Sequence, residues 1–229
     1  MLQIPSALNN SHHRITGGSV QYGLSAAIDA AASGLRYRVA DEFCLVGRTV
    51  QPVLDSPRLV LRPFQEGDAL AVKRLAGDRR IADAATTIPH PYPDGAAEAW
   101  IAGHLPSFIA GIEITYAVVQ REGALLVGTV SLLDISAKHA RAELGYWTGV
   151  EFWGRGYCTE AVCRLIPFAY EHLGTTRVVA RCLARNPASA RVMEKAGLRR
   201  EGYLAKHVFK NGKFEDVLLY GLVLPKRGE

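Results

Sequence analysis

Residues Glu151–Val162 read EFWGRGYCTEAV. Two glycines, Gly154 and Gly156, flank Arg155; Thr159 and Glu160 follow, then an apolar run begins. Bare backbone at the mouth of a helix has two readings. It is a tight connection, or it brings peptide N–H groups close to an anion, to which the helix dipole adds roughly half a positive charge. In the second reading Arg155 adds a mobile cation and Thr159 a hydroxyl. Two phosphate motifs fail here. A Walker loop needs four residues between its glycines and then Gly-Lys, and no such lysine is present. A dinucleotide fingerprint needs a third glycine where Thr159 stands. Alone, the G-x-G leaves both readings open, so the surrounding chain has to decide.

Outward from that motif the pattern is regular. Before it come three strand signals in close succession, ITYAVVQ, LLVGTVSLLDI and RAELGYWTGV, separated by short polar turns. Strands joined so tightly predict an antiparallel meander. After it comes a helix to about His172, with Ala161, Val162, Leu165, Ala169 and Leu173 on its inner stripe and Pro167 expected to bend it. TRVVARCLA is then a buried strand, and NPASARVMEKAG a helix with Asn186 as N-cap, Pro187 first and Gly197 just past its end. Asn211-Gly212 between two apolar-rich runs signals a closing hairpin. Farther upstream, RLVLRPF alternates as a strand and EGDALAVKRLAGD reads as a helix with Asp68 near its start. PHPYPDG is a loop, and Asp94 is placed to cap a helix that Pro106 should kink or end. The order predicts an α+β fold: a mixed, mostly antiparallel sheet flanked by helices, with one strand–helix–strand unit in its middle.

The totals exclude more than they select. The chain has 229 residues and 48% apolar content, enough for one large domain with a real core. No run approaches about 18 uncharged apolar residues, so no membrane helix is expected. A net charge of +5 suits a small anion as well as RNA. The four cysteines, Cys44, Cys158, Cys163 and Cys182, show neither a C-x-x-C pair nor zinc spacing, which predicts reduced thiols in a cytoplasmic protein and no metal. Residues 1–55 hold four arginines and four acids, and lack the basic and apolar regions of a secretory signal. We expect them to be an N-terminal extension, poorly ordered or partly helical around Leu24, Ile28, Ala31 and Ala32, with the domain at 56–225 and a tail at 226–229.

Over residues 56–225 the chain resembles the GNAT superfamily of acyl-CoA-dependent N-acetyltransferases. The resemblance rests on WGRGYCTEA, RLVLRPF, AELGYW, NPASARVMEKAGLRREG and NGKFEDVLLYGLVL, in family order and spacing, and is nearest the Rim-type branch that acetylates ribosomal-protein N-termini. Two positions depart from the family's pyrophosphate motif: Trp153 replaces Gln or Arg, and Cys158 replaces Gly or Ala. The resemblance implies a sheet with splayed central strands and acetyl-CoA as co-substrate. Its pyrophosphate would lie on the N–H groups of Gly154, Arg155, Gly156, Tyr157, Cys158 and Thr159, and its pantetheine arm beside Trp147 and Thr148. Asn186 would help hold the coenzyme as well as cap its helix. Read from the residues alone, Ser189 is an ordinary serine of a helix first turn; by this resemblance it would assist the departing thiolate. Met193 stands where many relatives keep a tyrosine acid, so that acid is excluded here.

The base is less determined. Glu143 alternates onto the face of Gly145 and Trp147. It is either the proton acceptor or a carboxylate paired with Arg141. Asp134, His139, His207 and Asp216 are weaker candidates. Cys158 lies at a helix start, where a thiol's pKa can fall, but direct transfer needs no acyl-cysteine. The expected acceptor is a protein N-terminal amine. A polyamine or aminoglycoside, or a coenzyme-binding module with little activity, are the alternatives. No nucleic-acid or membrane partner is expected, and the chain would be a monomer or homodimer.

Overall fold

The structure is a computed structural model and describes residues 50–225. Its strands are β1 (Leu54–Asp55), β2 (Leu59–Arg62), β3 (Ile114–Gln120), β4 (Leu126–Ser136), β5 (Arg141–Thr148), β6 (Arg177–Leu183), β7 (Arg199–Lys210) and β8 (Lys213–Val223). Its helices are α1 (Ala69–Ala76), α2 (Arg79–Ala84), α3 (Ala96–Ala102), α4 (His104–Ile109), α5 (Tyr157–Leu173) and α6 (Pro187–Lys195). All eight strands form one sheet in the order β1-β2-β3-β4-β5-β6-β8-β7. Neighbours run antiparallel except β5 and β6, which are parallel and joined through α5.

Alternation along the strands sorts side chains onto two faces. Tyr116, Val130 and Tyr146 lie in register on the face covered by α5 and α6, where the Tyr116 and Phe168 rings meet edge to face at 6.2 Å. Thr115 and Ser131 lie on the other face, toward α4, whose His104 approaches Glu113. The core runs between sheet and α5. Leu165 and Ala169 are fully buried, with Ile166 and Phe168 nearly so.

The feature that positions the site is a partial seam. β5 and β6 pair only from Arg141↔Arg177 to Leu144↔Ala180. Beyond that, Gly145–Thr148 have partners only on β4, and Arg181–Leu183 only on β8. The two strands therefore open into a V, as the resemblance implied.

Several local expectations are met. Asn186 caps α6, its Oδ1 accepting from the Ser189 N–H at 3.1 Å, and Pro187 is the first helical residue. Asn211 and Gly212 both take positive φ in the tight β7–β8 turn. Others need correction. α1 lies within the stretch read as the upstream helix, but a second helix that was not expected follows it: Asp78 starts α2 by accepting from the Arg80 N–H at 2.9 Å. Asp94 caps nothing. Its carboxylate takes the Lys73 ammonium at 2.6 Å, and Gly95 in left-handed conformation starts α3. The break then falls at Gly103, and Pro106 sits in the first turn of α4, where its missing N–H costs nothing. α5 continues through Pro167.

The expectations for residues 1–49 and 226–229 lie outside the described residues. The last residues assigned to the extension already belong to the sheet, since Leu54 and Asp55 form β1, and Gln51 donates to the Thr115 carbonyl at 2.9 Å. Among the described residues no helix is long and apolar enough to cross a membrane, and no cluster of ligands could hold a metal ion.

Candidate active site

The V ends at the glycine turn. Thr148 closes β5, and its carbonyl accepts from Trp153 Nε1 at 2.7 Å, which fastens the turn to the strand. Phe152 is buried beneath, while Trp153, Gly154, Arg155 and Gly156 are exposed. Gly154 and Gly156 have φ of 75° and 79°, and Gly156 is the N-cap of α5. No side chain caps that helix, the longest described. Its first N–H groups thus have neither an intrahelical acceptor nor a capping oxygen, in contrast to α6, which Asn186 caps. Nothing covers a Cβ built on Gly154, and only Arg58 Nη2, at 3.5 Å, meets one built on Gly156. An anion has both the donors and the room it needs.

Arg58 and Glu160 shape this turn, and the sequence reading missed both. Arg58 Nη1 donates to the Arg155 carbonyl at 3.0 Å, and its guanidinium lies 4.8 Å over the Tyr157 ring. Its Nε donates to Glu160 Oε2 at 2.7 Å, while its backbone N–H and the Ser56 hydroxyl both donate to Glu160 Oε1 at 2.8 Å. Burial raises the Glu160 pKa, but these hydrogen bonds outweigh it and hold the carboxyl below its usual 4.5. A carboxyl depressed in this way stabilises the fold above its unfolded value and loses that contribution as pH falls through the lower folded value. Two results should follow from Arg58→Ala. Calorimetry should show coenzyme A affinity falling by about 10-fold or more, because the turn loses its pin and Glu160 is left without its cation beside a bound anion. Acid unfolding should also become shallower below pH 4.5. Parent-like affinity would refute the role given to this pair.

Three elements converge where the V is open. Tyr146, from β5, donates to the Ser189 carbonyl at 2.9 Å and lies 3.0 Å from Ser189 Oγ. Cys182, buried on β6, has its thiol against the Ser189 side chain. Ser189 therefore reaches the V. Asn186 is occupied twice, capping α6 and donating Nδ2 to the Ala84 carbonyl at 3.1 Å. Met193 is buried in the core.

Glu143 lies in the paired part of the seam, on the face predicted. Its partner is Arg181 rather than Arg141: Nε and Nη2 donate to its two oxygens at 2.9 and 2.6 Å. Arg141 pairs with Asp134 at 2.6 Å, and Asp216 accepts from Tyr203 and from the Lys206 N–H, so both carboxylates have structural work. Burial pushes the Cys158 thiol up to about 12, against the downward pull expected at a helix start, so it stays protonated and inert.

An open turn, an uncapped helix and a V between parallel strands are the geometry on which the comparisons with known proteins bear. A profile of the family described as "Acetyltransferase (GNAT) domain" matches residues 58–199, more than half of the chain. The chain belongs to the GNAT acetyltransferases. It is an N-acetyltransferase that uses acetyl-CoA. It is similar to YoaA, an uncharacterized N-acetyltransferase of Bacillus subtilis, at 26% identity over 179 residues, covering 76% of this chain and 98% of the relative. It is also similar to the spermidine N(1)-acetyltransferase of Vibrio cholerae, at 24% identity over 160 residues, covering 70% of this chain and 90% of that one. Its fold matches that of RimL, a ribosomal L7/L12 alpha-N-protein acetyltransferase solved with coenzyme A. The TM-score is 0.70 at 20% identity, covering 76% of this chain and 98% of the other.

In this GNAT chain α2 and the α2–α3 loop are tied to the β6–α6 connection and to the β7–β8 hairpin. Arg185 donates to the Asp83 carboxylate and carbonyl and also to Glu215. Lys210, buried and with its pKa lowered mainly by that burial, reaches the Ile88 carbonyl at 3.4 Å. Every carboxylate of the loop and of the β7–β8 hairpin is engaged. Asp94 holds Lys73, Glu201 holds Arg177, Glu215 holds Arg185 and Lys213, and Asp216 holds Tyr203.

Proposed function

We propose that this chain acetylates the α-amine of a protein N-terminus, in the manner of the Rim-type branch. The observation that carries the choice is the pairing of every carboxylate flanking this face: Asp83 on α2, Asp94 in the α2–α3 loop, and Glu201, Glu215 and Asp216 on the β7–β8 hairpin. A polyamine needs carboxylates free to receive its charges, and here each already has a partner within the chain that would compete for it. A peptide N-terminus makes no such demand. Its pKa is near 8, so a sizeable fraction is already neutral at neutral pH and needs no strong base.

In this reading the diphosphate rests on the N–H groups from Gly154 to Thr159, near Arg155, and the arm lies along Gly145–Thr148. The neutral amine attacks the thioester carbonyl. The C–S bond then breaks, its electron pair leaves on sulfur, and the Ser189 hydroxyl hydrogen-bonds the thiolate. The amine gives up its proton through the remaining lone pairs of Glu143 or through water, and a proton from solvent completes the thiol. Thiol release from acetyl-CoA, measured against N-terminal peptides, polyamines and aminoglycosides, tests the proposal. We expect release with peptides. Release with polyamines alone would replace this acceptor by the one named for the Vibrio cholerae relative. Tight coenzyme binding with no release on any amine would make the chain a binding module.

A further inference from the structure

A serine hydroxyl helps a departing thiolate only if its hydrogen points at sulfur. In the first turn of a helix it has three rotamers, and nothing in the helix selects among them. Here the selection comes from outside. The Tyr146 hydroxyl meets Ser189 twice, at the backbone carbonyl (2.9 Å) and at Oγ (3.0 Å), from the stretch of β5 that has no β6 partner. Asn186 fixes the same residue from the other side through its N–H, at 3.1 Å. From these contacts we infer that Tyr146 is a positioning residue for acetyl transfer, acting through Ser189 by setting the direction of its hydroxyl hydrogen.

The proton count supports this. A phenol has one hydrogen. When that hydrogen goes to the carbonyl, Ser189 Oγ–H donates to the phenol oxygen and is occupied. When it goes to Oγ, the serine hydrogen turns to a third partner, the Cys182 thiol that lies against it or a sulfur arriving in the V. A thiolate forming there favours the second arrangement, and the switch costs one hydroxyl rotation on each side chain with no proton transferred. Burial pushes the Tyr146 pKa upward, so the phenol remains a donor through any workable assay pH. Met193 removes the possibility of a tyrosine one turn farther along α6.

This inference rests on the reading of Ser189 given above, and one set of variants separates the two. With the acceptor that gives thiol release, Tyr146→Phe should lower kcat by about 10-fold and leave the KM for acetyl-CoA within about twofold, toward the low end of hydrogen-bonding contributions to catalysis. Ser189→Ala should lower kcat by a similar factor. The double variant should be no slower than Ser189→Ala alone, because the phenol acts only through that hydroxyl. Tyr146→Phe removes one oxygen and keeps the ring, and a thermal melt reports whether it folds. Multiplicative losses in the double variant, or a raised KM with unchanged kcat, would mean that Tyr146 only packs the V and would overturn the role. An active parent with full kcat in Tyr146→Phe overturns it too. A parent that releases no thiol overturns the acetyl-transfer reading and this role with it.

Discussion

Gly156→Asp should weaken coenzyme A binding by at least about 100-fold in a protein that still folds. A Cβ at Gly156 meets only the Arg58 Nη2, at 3.5 Å, so the side chain has room. Aspartate tolerates positive φ better than most residues. It would face the Arg58 guanidinium and the first-turn N–H groups of α5, which offsets part of the roughly 1–2 kcal/mol of backbone strain that a side chain brings at this positive φ. The coenzyme loses on both counts. The new carboxylate takes the N–H groups that should receive the diphosphate, and it places a negative charge a few ångströms from that anion. At about 4 Å and an effective dielectric of 20, one such pair costs about 4 kcal/mol, close to a thousandfold in affinity. Solvent at an exposed turn reduces this, and a loss of at least about 100-fold is the expected result by calorimetry. Gly156→Ala is the control. It adds the backbone strain of about 1–2 kcal/mol without the charge, and should lose about 10-fold or less. If the aspartate variant binds coenzyme A like the parent, the diphosphate is not on this turn.

Sequence and structure agree most closely where the signals are local. Asn186-Pro187 and Asn211-Gly212 name their own backbone conformations, and both are found as read. The V was implied only through family likeness, since no periodicity in RAELGYW or RVVARCL marks where pairing stops. Asp94 shows how a local signal loses to a tertiary one. The spacing placed it one residue short of the cap, which Gly95 occupies, and Lys73, from α1, offers a full charge at 2.6 Å. The Arg58–Glu160 pair spans 102 positions, and each member has a bland local explanation. An arginine beginning a strand and a glutamate in the first turn of a helix attract no notice. Tyr146 was within reach. The alternation that put Glu143 on one face put Tyr146 on the other, toward the helix carrying Ser189. Arg181 as the partner of Glu143 follows from the parallel register of β5 and β6, which only the assembled sheet supplies.

That register also identifies a second glycine whose replacement should be costly. Gly128 lies in β4 opposite Thr148, the last residue of β5. A Cβ there would overlap the Trp147 carbonyl oxygen and sit 2.8 Å from Thr148 Cα. Both obstacles are backbone, so no rotamer change relieves them. A glycine inside a strand marks such a close approach, and this one stands beside the register shift between Val118 and Val119. Gly128→Ala must therefore push the end of β5 away from β4, toward the open side of the V. Overpacking of this kind costs about 2–3 kcal/mol. In a domain of this size that lowers the melting temperature by roughly 5–10 °C. The displaced segment is Trp147–Thr148, which carries the proposed arm contacts and holds Trp153 through the Thr148 carbonyl. Acetyl-transfer kcat/KM should fall by about 10-fold or more, since small misplacements at a reacting centre are expensive. A scanning melt and steady-state thiol release measure the two effects, and they should move together. A variant that melts like the parent would mean that β5 yields freely at this point. The V would then be a soft opening, and the fixed placement of Tyr146 and Trp147 on which the chemistry depends would lose its basis.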